Sequence, residues 1–241
     1  MFVTSTDSTN TLMRQLVAAG NPPEFIYAGY QTAGRGQTGN GWESEPDKNL
    51  LCSILLPPIK ELFYQNVITS VAVLRTLSGL GIDGLTVKWP NDIYWGDKKV
   101  AGILVENTIL GSEVQYSIAG IGLNVNQTEW HSGAPNPVSV KQITGKDYDI
   151  DELMQQLLAE IRKAQSEDVW EEYKAHLYRR EGFWPFVERE VSVAPTMNAE
   201  ATAEGQFWAH IVDVLPTGEI VLLDKNGKQR KYHFKQIRYV L

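Results

Sequence analysis

Three stretches of the chain repeat their apolar positions at the helical period. Leu12, Leu16 and Val17 form a short stripe that opens behind Ser8 or Asp7 as a cap and stops at Gly20 and Asn21-Pro22-Pro23, predicting a first helix. Val67, Ile68, Val71, Leu74 and Leu77 predict a core helix over about 61–80. Ile150, Leu153, Met154, Leu157, Leu158 and Ile161 lie on one stripe, and that helix should continue, broken once, towards Leu177. Strand-like runs fill the gaps: Phe25–Ala28, 49–56 up to Pro57-Pro58, Leu85–Val87, Ile93–Trp95, Val100–Asn107 and Val114–Asn124. Gly96-Asp97 and Gly111-Ser112 fall where hairpin turns belong. In the last run Val114, Tyr116 and Ile118 alternate with polar residues, as in a sheet with one wet face.

After about residue 187 the pattern changes to short β segments: Val191–Val193, His210–Leu215, Ile220–Leu223 and Tyr232–Phe234, with turns at Pro216-Thr217-Gly218 and Lys225–Lys228. This reads as a small all-β barrel. The predicted organisation is an α+β domain over 1–186 followed by a C-terminal β domain over 187–241.

Composition narrows the class. A length of 241 residues with 43% hydrophobic content allows one large and one small unit. A net charge of −7 excludes broad binding to nucleic acid or an anionic membrane. Cys52, alone in an apolar run, reads as a buried strand thiol, and a single cysteine excludes an intramolecular disulfide framework or a Cys-rich zinc site. No run approaches the ~18 apolar residues of a membrane span and no leader precedes the first helix, so the expected location is cytoplasmic.

Four segments carry candidate chemistry. Gly34-Arg35-Gly36-Gln37-Thr38-Gly39-Asn40-Gly41-Trp42 mixes glycines with an arginine, a pattern suited to an anion, yet no Gly-Lys-Ser/Thr follows and it is not a Walker A loop. Lys88-Trp89-Pro90-Asn91-Asp92 fixes a lysine and an aspartate on a proline-stiffened backbone. Lys99 enters the apolar strand Val100-Ala101-Gly102-Ile103-Leu104-Val105-Glu106, and Gly120-Ile121-Gly122-Leu123-Asn124 is a strand with two glycines. Taken singly, the first three also fit a flexible surface loop, a turn with a salt-bridged lysine and an exposed strand-end lysine.

Together, and in this order, these segments with Ser8-Thr9-Asn10 and Gln31 resemble the biotin–protein ligase family over roughly residues 4–126. The resemblance implies a class II aminoacyl-tRNA synthetase-like catalytic domain, a mixed sheet with flanking helices, and an SH3-like C-terminal barrel. It implies a ligase that adenylates biotin with ATP and passes it to a lysine of a biotin carboxyl carrier protein domain. By the same resemblance Ser8, Thr9, Asn10, Gln31, Gly34, Arg35, Gly36, Gln37, Lys99 and Gly102 bind biotin, while Arg35, Trp42, Lys88, Asn91, Lys99 and Asn124 bind ATP. Lys99, Arg35, Lys88 and Asp92 are the catalytic candidates. Asp92 would orient the acceptor lysine, help deprotonate it, or sit near magnesium, which would arrive with ATP. The loop over 32–48 is expected to order over the adenylate.

The chain departs from the family at Gln37, Thr38 and Asn40, where basic residues are frequent. That leaves Arg35 the one cation between Gln31 and Trp42. The chain begins at the catalytic domain, so no helix-turn-helix, no DNA binding and no membrane binding are expected, and monomer and homodimer stay equally open. Lipoate ligases share the fold, but their Arg-Arg-glycine run with a following His is missing. A non-catalytic scaffold is disfavoured by retention of Lys88 and Lys99. His131, His176, His210 and His233 lack metal-like spacing, Trp170, Tyr173 and Leu177 read as helix packing, and Lys228–Lys231 reads as the wet face of a hairpin.

Overall fold

The structure, a computed structural model, describes residues 1–36, 41–189 and 205–240. The expected strand Val191–Val193 and the loop positions Gln37, Thr38 and Asn40 lie outside the described residues. The fold is α+β, with one large mixed sheet and a second, antiparallel one.

The large sheet has seven strands: β1 (Phe2–Thr6), β2 (Phe25–Gln31), β3 (Leu50–Leu56), β4 (Leu85–Lys88), β5 (Asp92–Trp95), β6 (Lys98–Leu110) and β7 (Glu113–Leu123), in the order β1-β2-β3-β7-β6-β5-β4. Only the β1–β2 pair is parallel. Gly96 and Gly111 turn with positive φ, 55° and 63°, as the predicted hairpins require. β1 was not anticipated: its sequence, Phe-Val-Thr-Ser-Thr, is short and largely exposed, and pairing along β2 is what orders it.

Residues of β3 alternate between two packed layers. Leu50, Cys52, Ile54 and Leu56 join the main core with α2 (Tyr64–Ser78) and α4 (Ile150–Gln165). Leu55 instead joins Met13, Ile26 and Ile118 beneath α1 (Thr9–Ala18). Cys52 is fully buried, as expected, and burial pushes its thiol up to about 12. The α4 stripe is buried from Leu153 to Ile161, and the predicted break after it leads into α5 (Trp170–Ala175). Tyr173 and Leu177 are buried, as helix packing demands.

Three local expectations change. Ser8 occupies the N-cap of α1, but its side chain makes no capping bond, and the Asp7 carboxylate accepts from the Ser8 N–H at 2.7 Å and the Thr6 hydroxyl at 3.2 Å, not from the first turn of the helix. A short helix α3 (Val140–Thr144), missed by periodicity, is held by a capping box between Ser139 and Gln142. Lys228 and Lys231 are exposed, as a wet face requires, but Arg230 between them is half-buried and pairs with Asp224 at 3.1 Å and Glu188 at 2.9 Å.

The C-terminal sheet comprises β8 (Trp184–Glu188), β9 (Gln206–Val214), β10 (Ile220–Asp224), β11 (Gln229–Tyr232) and β12 (Ile237–Tyr239), ordered β11-β10-β9-β8-β12. β8 begins three residues before 187 and β12 was not foreseen. The unit docks on the large sheet through a turn: Trp89 Nε1 donates to the Gly218 carbonyl at 3.1 Å, and Gly218, at φ 90°, packs so close to Phe63 that a Cβ would meet its ring at 2.7 Å. Arg179 adds a hydrogen bond to the Val240 carbonyl at 2.5 Å.

Candidate active site

The face of the large sheet beneath α1 is thinned where β7 pairs with β3 and β6. Ser53 lies opposite Gly120, Leu51 opposite Gly122, and Gly122 opposite Gly102. The space three side chains would fill is used by others. A Cβ at Gly120 would meet the Asn10 amide carbon at 2.9 Å; at Gly102 it would meet the Trp42 indole at 2.8 Å, and at Gly122 it would overlap the same indole. Glycine is required here for close approach rather than for unusual dihedrals.

A β-bulge brings a cation onto this floor. Ile93 pairs with Ala101 but Tyr94 pairs with Lys99, leaving Val100 as the extra residue. The shift turns Lys99 to the glycine face, with its Nζ 3.1 Å from where a Gly102 Cβ would sit. Lys99 forms an ion pair with Asp92 at 2.7 Å, both about 30% exposed (29% and 31%), and lies 5.6 Å from the Trp42 ring. Trp42 is set by the closed neck of its loop: Arg35 bridges Gly41, and Trp42 N donates to the Gly34 carbonyl at 2.9 Å.

At one end the floor meets the start of α1. Gln31 Oε1 accepts from both the N–H and the hydroxyl of Thr9, at 2.8 and 3.1 Å, so its NH₂ group is the part left to face outward. Asn10 Nδ2 donates to Glu106 at 2.8 Å and the Leu104 carbonyl at 3.3 Å, while Asn10 Oδ1 accepts from Ser53 at 2.6 Å. Glu106 also pairs with Arg14 at 2.9 Å and Arg35 at 3.3 Å.

At the other end lies Lys88, facing Asp92 across the β4–β5 pair. It donates to the Tyr94 hydroxyl at 3.1 Å, and its ammonium sits 4.9 Å from the Tyr94 ring and 5.5 Å from that of Tyr239, a residue of the C-terminal sheet. Burial lowers the Lys88 ammonium to about 8; Lys99 and Arg179 push the same way and Asp92 opposes them. The Trp89–Pro90 peptide is cis, and the Pro90 carbonyl is held by Tyr173 at 2.8 Å.

These groups line one cleft of about 470 Å³. Ser8, Thr9, Asn10, Gln31, Arg35, Gly36, Trp42, Lys88, Asn91, Asp92, Lys99 and Gly102 all reach it. Gly34 supports Trp42 and Gln31 from behind. Gln37 lies outside the described residues. Asn124 is not among the lining residues; it is buried, with its amide donating to the Lys99 and Val138 carbonyls. Sequence reading missed Arg189, Lys235, Arg238 and Tyr239, which also line the cleft. No local signal marks them, because they arrive only through the docking of the second sheet. Glu106 and Ser53 were in the quoted strands without a role.

Among the described residues no group of three or more His, Cys, Asp or Glu could hold a metal ion. The cleft pairs a neutral donor–acceptor pocket with a cluster of cations. It suits a molecule with a polar uncharged head and an acidic tail, next to a polyanion.

The biotin/lipoate A/B protein ligase family model matches residues 2–124. The biotin–[acetyl-CoA-carboxylase] ligase of Paracoccus denitrificans is 32% identical over 171 residues, 67% of this chain and 71% of that protein. The chain belongs to the biotin/lipoate A/B protein ligase family. The bifunctional ligase/repressor BirA of Escherichia coli is 29% identical over 76% of this chain, which spans only 55% of that protein's length. Among solved structures, the biotin protein ligase of Aquifex aeolicus in complex with biotin and ATP superposes with a TM-score of 0.76 at 23% identity, covering 100% of this chain and 98% of that one. The fold of this family member is therefore shared along its whole length.

Proposed function

We propose that the chain is a biotin–protein ligase. It joins biotin to ATP as biotinyl-adenylate with release of pyrophosphate, then transfers biotin to a lysine of a carboxylase carrier domain. The observation that carries this reading is the cleft itself, which sets the Gln31–Asn10 pocket and the cations Lys99, Lys88 and Arg35 on one glycine floor. The names of the relatives, among them a biotin–[acetyl-CoA-carboxylase] ligase, support the substrate and the carrier.

In the first step a biotin carboxylate oxygen attacks the α-phosphorus of ATP and the bond to pyrophosphate breaks. Carboxylate and triphosphate repel each other, so Lys99, placed by the bulge beside the floor, holds both, with Lys88 on the phosphates and Arg35 on the adenylate. Ser8, Thr9, Asn10, Gln31, Gly36 and Gly102 line the biotin side with Gly34 behind them, Gln37 is assigned to biotin by the resemblance alone, and Trp42, Asn91 and Asn124 serve the nucleotide. Asn124 acts there through the backbone of Lys99, to which its amide is bonded. In the second step the carrier amine attacks the anhydride carbonyl and AMP leaves. Asp92, 2.7 Å from Lys99, orients that amine and takes its proton.

Magnesium fits as a companion of ATP rather than as a resident ion, because among the described residues Asp92 is the one carboxylate lining the cleft and no acidic cage surrounds it. It would neutralise phosphate charge. The same reading takes 1–186 as the class II synthetase-like catalytic unit and 187–241 as an SH3-like barrel. The mixed seven-stranded sheet and the five-stranded antiparallel one support that assignment.

The test mixes the protein with magnesium-ATP and biotin, measuring pyrophosphate and biotinyl-adenylate mass. Biotin-dependent pyrophosphate that collapses in Lys99→Ala is the expected result. Turnover with lipoate alone, or with neither acid, refutes the assignment.

A further inference from the structure

Resting on the biotin reading, we propose that Glu106 is a specificity-determining positioning residue: it locks the Asn10 amide so that an acceptor faces the cleft, selecting an acid whose head carries N–H groups.

Two acceptors surround Asn10 Nδ2. The Glu106 carboxylate lies 2.8 Å away and the Leu104 carbonyl 3.3 Å away, and neither can donate. Turning the amide over would set Oδ1 against both and break a charge-assisted bond, in a residue only 3% exposed. Oδ1 is thereby held over Gly120, where Ser53 donates to it at 2.6 Å. An amide oxygen has two lone pairs, and Ser53 uses one, which leaves one for a ligand N–H. Gln31 is fixed in the opposite sense, since the Thr9 N–H donates to its Oε1 at 2.8 Å and the NH₂ group faces outward, while the Thr9 hydroxyl, 2.8 Å from Ser53, donates there when Ser53 gives its proton to Asn10. The pocket thus presents an acceptor at Asn10 and a donor at Gln31, matching the N–H and C=O of a cyclic urea. A dithiolane ring has neither. Glu106 touches no substrate in this arrangement and acts through Asn10, with Arg14 at 2.9 Å holding the carboxylate in place.

The experiment measures pyrophosphate exchange with biotin and with two isosteric analogues, each with one ureido N–H replaced by an ether oxygen. The wild-type chain should prefer biotin over the poorer analogue by at least about thirtyfold in kcat/KM, the scale of one buried hydrogen bond whose partner is lost. In Glu106→Gln, whose amide can donate to Asn10 and let it turn, the preference should shrink to about threefold. That change should appear as a loss of discrimination in KM between biotin and the analogues, over and above any uniform loss from the weakened Arg14 and Arg35 pairs, which falls equally on all three acids. Asn10→Asp combined with Glu106→Gln restores an acceptor facing the cleft, and the preference should return above about tenfold. Asn10→Ala alone should abolish it, which tests the idea even if Glu106→Gln folds poorly. Equal losses for biotin and both analogues in Glu106→Gln, or a preference that survives Asn10→Ala, would overturn the proposal. A wild-type chain that never activates biotin overturns the parent reading, and this proposal falls with it.

Discussion

Between pH 7 and pH 9 the protein should lose most of its capacity to activate an acid at low ATP, because Lys88 discharges in that window. The ammonium is lowered to about 8 chiefly by burial between the Tyr94 and Tyr239 rings, with Lys99 and Arg179 adding to the effect and Asp92 opposing it. About nine-tenths of Lys88 is then charged at pH 7, half at pH 8 and one-tenth at pH 9, so kcat/KM for ATP should fall about tenfold across the window. Tyr94, raised to about 12 by its own burial, stays neutral throughout. The assay is biotin-dependent pyrophosphate–ATP exchange, which needs no carrier lysine and so excludes that amine's titration. Bound triphosphate favours the charged lysine, so kcat should hold to higher pH than kcat/KM. Lys88→Arg keeps its charge over this range and should flatten the profile whatever its absolute rate. Linkage supplies a second readout. A lysine whose folded pKa is depressed holds fewer protons than the unfolded chain between about pH 8 and 10.5, so its burial penalises the folded state fully below pH 8 and is relieved as pH rises through that interval. Lys88→Met should therefore raise Tm at pH 7 and by less at pH 10. A flat wild-type profile, or an identical fall in Lys88→Arg, would refute the reasoning.

Three further outcomes are expected. Lys99→Ala should cut adenylate formation at least a hundredfold, whereas Asp92→Asn should spare that step and slow single-turnover transfer to a carrier domain by about tenfold or more; equal effects on both steps would deny Asp92 a separate role. Gly122→Ala sets a methyl in steric overlap with the Trp42 indole and must displace it, so the tryptophan emission should shift to the red and KM for ATP should rise about tenfold. Its stability loss should stay near the low end of the roughly 1–3 kcal/mol of overpacking, since Trp42 sits in a loop, and chemical denaturation measures it. Gly218→Val combines a φ of 90° with a Cβ 2.7 Å from the Phe63 ring, so Tm should drop by several degrees, and an unchanged Tm would mean the turn does not bear on the second sheet.

Legibility of the fold followed burial. Leu50–Leu56 is apolar but for Ser53 because both of its faces are covered, and the α4 stripe is strict because one side meets the core. β1 and β12 are short, and β8 carries Pro185, so each depends on a neighbouring strand that sequence does not identify. In the site, Lys88 and Lys99 stood out as cations entering apolar strands. Their convergence did not, because it requires the bulge at Val100, and alternation alone would have pointed Lys99 to the core side with Ala101. Asn124, read as a nucleotide contact, is buried as a splint for the Lys99 backbone. Arg189, Lys235 and Arg238 join the cleft from more than ninety positions downstream of Asp92, a distance only sheet docking spans.

The same strands answer two demands that conflict elsewhere. A cleft needs missing side chains, and missing side chains destabilise a core. β7 separates the two by its pleat: Ala119, Ile121 and Leu123 are buried among the α2 and α4 side chains, while Gly120 and Gly122 face the cleft. β3 repeats the division, with Cys52 and Ile54 inward and Ser53 holding Asn10. The glycines therefore remove packing only from a face that α1 and Trp42 already cover in part, and the helical layer opposite supplies the stability. Gly102, the third glycine, lies on β6, whose bulge brings Lys99 to the same side. A one-residue insertion is thus what allows a strand whose next residues, Val100, Ala101 and Ile103, are core to deliver a charge to a cleft without burying that charge in the core.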